Sequence, residues 1–248
     1  MTAPIDLIST LHQRLRISPS KVSVPASIPV LFFGDALSSH VATIGLNPSK
    51  FEYVDKNGQL LSGRDQRFAS TVSLGVVSRN ELTNTDAALA IEVMRCYFDD
   101  GKPVYCSYFR HLTNFLTGMG TSYRGRSATH LDLIQEPTDP VWNDLSDCER
   151  SALIARDLPF LVWLLENLPH LKAVVCAGKT VSDQIRASIL VDIKDTGEMK
   201  RIRWWVGTAH FGQRELPIGG WNYPLDRPTG LGTEGEISLG KIFAQALR

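Results

Sequence analysis

Apolar positions recur at helical spacing at Ile5, Ile8, Leu11 and Leu15, which predicts a short amphipathic helix over 5–16. Pro19, Pro25 and Pro29 then break regularity, Val30–Phe33 reads as a short strand, and Gly34-Asp35 as a turn. His40–Ile44 is the first continuous apolar run, the pattern of a buried strand. Residues 50–65, with Asp55, Asn57, Gly58, Ser62 and Gly63, read as an exposed loop. Helical spacing returns over 66–78 and 84–99, the second helix with Asn84 or Thr85 as its N-cap. A third helix covers 107–117, stopped by Gly118 and Gly120. Thr129–Ile134 is a second strand and Pro137–Asp144 a turn-rich link. Ser146 with Glu149 three residues on is a capping-box pattern that opens a long helix over 146–168, which Pro159 kinks or interrupts. Ala173–Ala177 is a third strand, ended by Gly178 and followed by a helix over 180–190. A fourth strand starts at Arg201 and runs through Val206 toward Thr208-Ala209-His210. The six glycines and three prolines of 211–236 predict a long irregular loop, and a final helix closes the chain at 238–247. Strands that alternate with helices predict an α/β domain of three layers, α/β/α, around a central four-stranded, mostly parallel sheet. No linker divides the 248 residues, so one domain is expected, with a short N-terminal helical extension over 1–28.

Composition narrows the function little. Apolar residues make up 43% and charged residues 21%, ordinary for a globular chain. Lys+Arg and Asp+Glu both number 26, so overall charge lends no support to nucleic-acid binding. A local basic rim from Arg64, Arg67, Arg110, Arg124, Arg126 and Lys179 stays open. Cys96, Cys106, Cys148 and Cys176 form no Cys-x-x-Cys pair and, with the histidines, no zinc or iron–sulfur spacing. Reduced thiols, no signal-peptide pattern and no run long enough for a membrane span lead us to expect a cytoplasmic protein.

The chemistry is concentrated where strands end. In an open parallel sheet, ligands bind at the carboxyl ends of the strands. The first strand ends in Gly45-Leu46-Asn47-Pro48-Ser49, a carboxamide held between a glycine and a proline. Asp132 lies in an apolar strand, where an acid is costly unless paired or at the strand's end. His210 ends the fourth strand ahead of the Gly-rich segment, and His130 and His111 rank below it for the same role. Phe68 stands as a platform for a flat ligand. Each has a structural alternative: a turn asparagine, an acid bonded to backbone or arginine, a structural histidine, a core aromatic. The Gly-x-Ser-x-Gly, P-loop, Gly-x-Gly-x-x-Gly and His-Glu-x-x-His templates are all missing from the sequence.

Three segments together resemble the uracil-DNA glycosylase superfamily over roughly residues 40–215. Gly45-Leu46-Asn47-Pro48-Ser49 is similar to its first motif, and Val174–Lys179 to its third-strand segment. Thr208-Ala209-His210-Phe211-Gly212 stands where its histidine motif would lie, but continues differently. The resemblance implies a four-stranded parallel sheet and a monofunctional DNA glycosylase that needs no metal or cofactor. It implies that Asn47 orients the attacking water and His210 hydrogen-bonds the departing base, with Gly45 and Leu46 lining the pocket. Phe68 would stack on the flipped base, and Asp132 would read its edge where the family has an asparagine. Gln213 and Arg214 are the residues to fill the vacated stack, with Lys179 beside the DNA backbone.

Two positions speak to the substrate. An ionised Asp132 favours a base presenting an amino group, cytosine rather than uracil, whereas an Asp132 protonated by burial could also donate to uracil O4. Ser49 occupies the place where uracil-specific relatives carry a bulky tyrosine, and leaves room for a substituent at C5. A 5-modified cytosine, as in phage DNA, is therefore the expected substrate, on double-stranded DNA with the base flipped out or on single-stranded DNA, and the protein is expected to act as a monomer. A uracil or mismatch repair glycosylase, a catalytically silent nucleic-acid-binding module and a nucleosidase are the alternatives.

Overall fold

The computed structural model describes residues 7–101, 104 and 106–247, with the side chains of Cys106 and Ser107 excepted. Helix α1 (Leu7–Leu15) buries Leu11 and Leu15, so the N-terminal segment joins the same core as the rest of the chain. Val30 to Phe33 is extended and runs antiparallel along the outer edge of strand β2 (Ala128–Asp132), with Phe33 and His130 exchanging backbone hydrogen bonds at 2.8 and 3.0 Å. That segment covers an edge that would otherwise present unpaired backbone. Strand β1 is Val41–Gly45.

The stretch 66–78 is a series of turns and not the expected helix. Ser70 and Ser73 exchange side-chain and backbone hydrogen bonds, and Gly75 turns at φ +71°. Such local bonds compete with helix formation. Helix α2 (Asn84–Arg95) is capped one residue earlier than expected, by Thr83 in a capping box with Asp86. Helix α3 (Cys106–Met119) runs through Gly118 and gives way at Gly120, whose φ is +73°. Helix α4 (Asp147–Asn167) carries the expected Ser146–Glu149 capping box and is not interrupted at Pro159. Leu153, Leu158, Leu161, Leu164 and Leu165 hold it to the core, a packing gain that outweighs one lost backbone bond.

Strand β3 (Ala173–Ala177) and helix α5 (Lys179–Ser188) follow as expected. The last third of the chain departs from the sequence reading. It forms strands β4 (Val191–Met199), β5 (Ile202–Phe211) and β6 (Arg214–Trp221) before helix α6 (Gly232–Ala246). The sheet is therefore six-stranded and mixed, in the order β2-β1-β3-β6-β5-β4, and the protein is of the α/β class. Within it β2, β1, β3 and β6 are parallel neighbours, while β5 and β4 are antiparallel additions. The expected fourth strand is thus β5, which runs against the parallel set, and the fourth parallel strand lies inside the expected loop.

Helices cover both faces of the sheet. A Cβ at Gly219 would meet Phe243 of α6 at 2.6 Å, and a Cβ at Gly220 would meet Ser182 of α5 at 2.7 Å. Adjacent strand residues point to opposite faces, so α6 and α5 lie on opposite sides of β6. Helix α3 joins α6, with Phe115, Trp221 and Phe243 in mutual ring contact at 4.8 to 5.8 Å.

Candidate functional site

The parallel strands end on a cleft of about 430 Å³, lined by the segments following β1 and β6, by residues at the ends of β2 and β3 and by the start of α3. This is where the end of a parallel sheet places a ligand. Leu46, Asn47, Pro48 and Ser49 follow β1, Ala177 ends β3, and Pro224, Asp226 and Arg227 follow β6. His130 and Asp132 come from β2, and Phe33, Tyr108 and Phe109 supply aromatic wall.

Register brings the amide and the acid together. Gly45 on β1 pairs with Asp132 on β2, so Asn47, two residues past Gly45, stands beside the acid at the same end. Asn47 donates from Nδ2 to Pro48 O and to Thr138 Oγ1, both at 3.2 Å, which leaves Oδ1 as an acceptor for water or substrate. Ser49 lines the cleft with a small side chain while its Oγ accepts from Phe51 N at 3.3 Å, capping the 3-10 turn Lys50–Glu52.

His130 and Asp132 lie two residues apart on one face of β2 and are almost wholly buried. Nε2 of His130 stands 3.3 Å from Asp132 Oδ1. Its Nδ1 is 2.8 Å from Thr43 Oγ1, itself 2.6 Å from the Tyr123 hydroxyl. Burial raises the Tyr123 pKa, so the phenol stays a donor. In the arrangement that satisfies every atom, Tyr123 donates to Thr43, Thr43 to His130 Nδ1, and His130 Nε2–H to Asp132. Gly45 is what permits this: a Cβ there would meet Asp132 Oδ1 at 2.5 Å and His130 Nε2 at 2.7 Å.

Glu52 is the second buried acid of the cleft wall, Asp226 being exposed at the mouth. It is 2% exposed, accepts from the Tyr97 hydroxyl at 2.8 Å through Oε1, and has no partner at Oε2 among the described residues. Burial pushes its carboxyl up to about 8, opposed by the Tyr97 bond and by Arg67 and reinforced by Asp132. Arg227, exposed at the mouth, is the cleft's arginine.

Five residues expected at the site lie elsewhere. His210 sits on antiparallel β5 opposite Glu215, at the end of the sheet where the parallel strands begin, away from Asn47 and Asp132. Gln213 and Arg214 lie at the β5–β6 turn at that same far end. The Gln213 amide bonds Glu166, and the Arg214 guanidinium donates to the carbonyls of Leu165, Glu166, Leu168 and Leu171, closing the C-terminal end of α4. Neither can fill a gap in a base stack at the cleft. Phe68 is a core aromatic, 1% exposed, stacked on Tyr97 at 5.0 Å and edge-on to Phe33 at 5.2 Å. It backs the wall that carries Glu52 and does not line the cleft, whose aromatic lining is Phe33, Tyr108 and Phe109. Lys179 lies outside the cleft, paired with Asp183 beside a second hollow of about 560 Å³.

Of the proposed basic rim, Arg124 and Arg126 pair with Asp100 and Asp99, and Arg67 bonds the Phe51 carbonyl. His130 was legible as the residue sharing a strand face with Asp132. Glu52 was signalled by Phe51-Glu52-Tyr53-Val54, an apolar run inside a supposed exposed loop, of which Glu52, Tyr53 and Val54 are buried. Among the described residues no group of three or more His, Cys, Asp or Glu could hold a metal ion, and no helix is long and apolar enough to cross a membrane. Comparison of the chain with family models, curated proteins and solved structures gives no match.

Proposed function

We propose that the cleft receives a pyrimidine flipped out of DNA, and that the protein is a monofunctional DNA glycosylase acting on a 5-modified cytosine. One observation carries this reading: neighbouring parallel strands bring the Asn47 amide and the Asp132 carboxyl to one hollow of about 430 Å³. That volume falls within the roughly 300–1,000 Å³ of small-ligand sites. The four parallel neighbours and the Gly45–Ser49 segment at their carboxyl ends also support the resemblance to the uracil-DNA glycosylase superfamily.

Breaking an N-glycosidic bond builds positive charge on the sugar and negative charge on the leaving base, through an oxocarbenium-like transition state. Asn47 Oδ1 positions the water that meets the sugar carbon; a neutral amide cannot deprotonate it fully, which suits a largely dissociative reaction. Arg227, following the fourth parallel strand, takes the role of stabilising the departing base that His210 cannot reach. Asp132 accepts from the exocyclic amine, and the small Ser49 leaves space at C5.

The test is a single-turnover assay of abasic-site formation on duplexes carrying cytosine, 5-hydroxymethylcytosine, its glucosylated form, uracil or a thymine mismatch. Release of a 5-modified cytosine is expected. Asn47→Ala should cut release by at least a hundredfold while changing DNA affinity less than threefold. Release of uracil alone would overturn the substrate, and no release from any duplex would overturn the activity.

A further inference from the structure

Of the three carboxyl groups that line the cleft, Asp226 is exposed at the mouth, while Glu52 and Asp132 are buried and compensated unequally. Asp132 faces the Nε2 of His130 at 3.3 Å. Among the described residues Glu52 receives a hydrogen bond from Tyr97, and its Oε2 is buried with no partner. A buried polar atom without a partner is costly and rare in folded proteins, and one on the wall of a cavity marks where a ligand atom completes the bonding. Two like charges sharing such a hollow repel, so one carboxyl keeps its proton. The less compensated group is Glu52.

We propose that Glu52 and Asp132 form a complementary pair that reads the Watson–Crick edge of a 4-amino-2-oxopyrimidine: neutral Glu52 donates its O–H to the ring nitrogen N3 or to O2, and ionised Asp132 accepts from the exocyclic N4 amine. This rests on the reading of the cleft as a base pocket and adds to it the residue that sets selectivity. Cytosine presents a donor at position 4 and acceptors at N3 and O2, which matches a carboxylate beside a carboxylic acid. Uracil presents a carbonyl to the carboxylate, acceptor against acceptor, and an N3–H where Glu52 offers its proton. A site built to hydrogen-bond one pattern rejects the other strongly, because its own buried groups are left unpaired.

The groups around Glu52 define its pH response. Tyr97 bonds it, Arg67 favours its ionised form, Asp132 disfavours it, Tyr53 adjoins it on the same turn, and His130, Asp226 and Arg227 are the other titratable groups lining the cleft. With the carboxyl pushed up to about 8 by burial, its proton is held through neutral pH and lost under mildly alkaline conditions.

The probe is a duplex bearing one 2′-fluoro-arabino nucleotide, whose glycosidic bond resists cleavage, with 5-hydroxymethylcytosine or 5-hydroxymethyluracil as its base. Affinity is measured from pH 6.5 to 9.5 for the intact protein and for Glu52→Gln and Glu52→Leu. The wild type should favour the cytosine duplex at least tenfold at pH 7 and lose that preference above about pH 8. Glu52→Gln, whose amide remains a donor, should keep the preference across the whole range. Glu52→Leu should lose it at every pH. An alkaline limb unchanged in Glu52→Gln, or full preference in Glu52→Leu, overturns the inference and leaves the glycosylase reading standing if the cleavable duplex still releases base. A Glu52-dependent limb in binding with no base released supports the inference and overturns the glycosylase reading alone. Equal binding of the two duplexes to wild-type protein overturns the inference.

Discussion

Replacing Glu52 by glutamine tests the electrostatics of the cleft without any substrate. The folded carboxyl holds its proton to about pH 8, whereas the unfolded chain releases it near the ordinary 4.5. Between those values the native state binds more protons than the unfolded state, so rising pH favours unfolding. The stability that Glu52 contributes is fully present below pH 4.5 and is lost as pH rises through 8. Each pH unit in that window is worth about 1.4 kcal/mol. Between pH 5 and 8 the wild type should therefore fall behind Glu52→Gln by about 4 kcal/mol, and the gap should level off above pH 8. Glutamine has nearly the same shape, keeps an acceptor for the Tyr97 hydroxyl, and has no proton to lose. Every other titrating group is common to both proteins, so the difference isolates Glu52. For a domain of this size the gap corresponds to roughly 10 °C in Tm. Urea titrations at half-unit pH intervals, checked by calorimetry, would measure it. Curves that stay parallel from pH 5 to 9 would mean that the Glu52 carboxyl is ionised in the folded protein, and the argument from its unpartnered oxygen would fall with it.

Gly45→Ala should lower stability by about 1–3 kcal/mol, because its Cβ would enter the space of two buried, mutually bonded side chains, Asp132 and His130; an unchanged calorimetric Tm would show that the His130–Asp132 pair is free to move. His210→Ala should leave base release within twofold of wild type, since β5 carries that side chain to the other end of the sheet. A loss of tenfold or more in the single-turnover assay would mean that the far end of the sheet takes part in the reaction.

The parallel strands β1, β2 and β3 and helix α4 are legible because local signals and tertiary packing agree there. The runs 40–44, 129–134 and 173–177 are apolar stretches bounded by turns, and each lies on or within a residue or two of a central parallel strand. The pair Ser146 and Glu149 set the start of α4 correctly. The last third failed where glycine and proline carry two meanings. Gly219 and Gly220 are not loop residues but strand positions against which Phe243 and Ser182 pack too closely for a side chain. Pro217 sits in β6 just before pairing with β3 begins at Ile218, so its missing N–H costs no ladder bond on that side. Strand β4 was hidden by its charges: Asp192, Lys194, Asp195 and Glu198 mark an exposed edge that discourages pairing with another chain.

The departure in the last third decided the place of His210, Gln213 and Arg214 as well. A residue at the end of a strand faces the cleft only if the strand runs with the parallel set. The turn at Gly212-Gln213, with Gly212 at φ +57°, reverses the chain between β5 and β6. His210 therefore precedes a strand that returns to the cleft, and the residues delivered there are those after Trp221. Asn47 and Asp132 stand together at the cleft because β1 and β2 belong to the parallel set and their apolar runs stop where their ladders stop. By the same reasoning, any group that contacts the departing base or fills the space it vacates should be sought in 222–227, where Pro224, Asp226 and Arg227 line the cavity, and not at the β5–β6 turn.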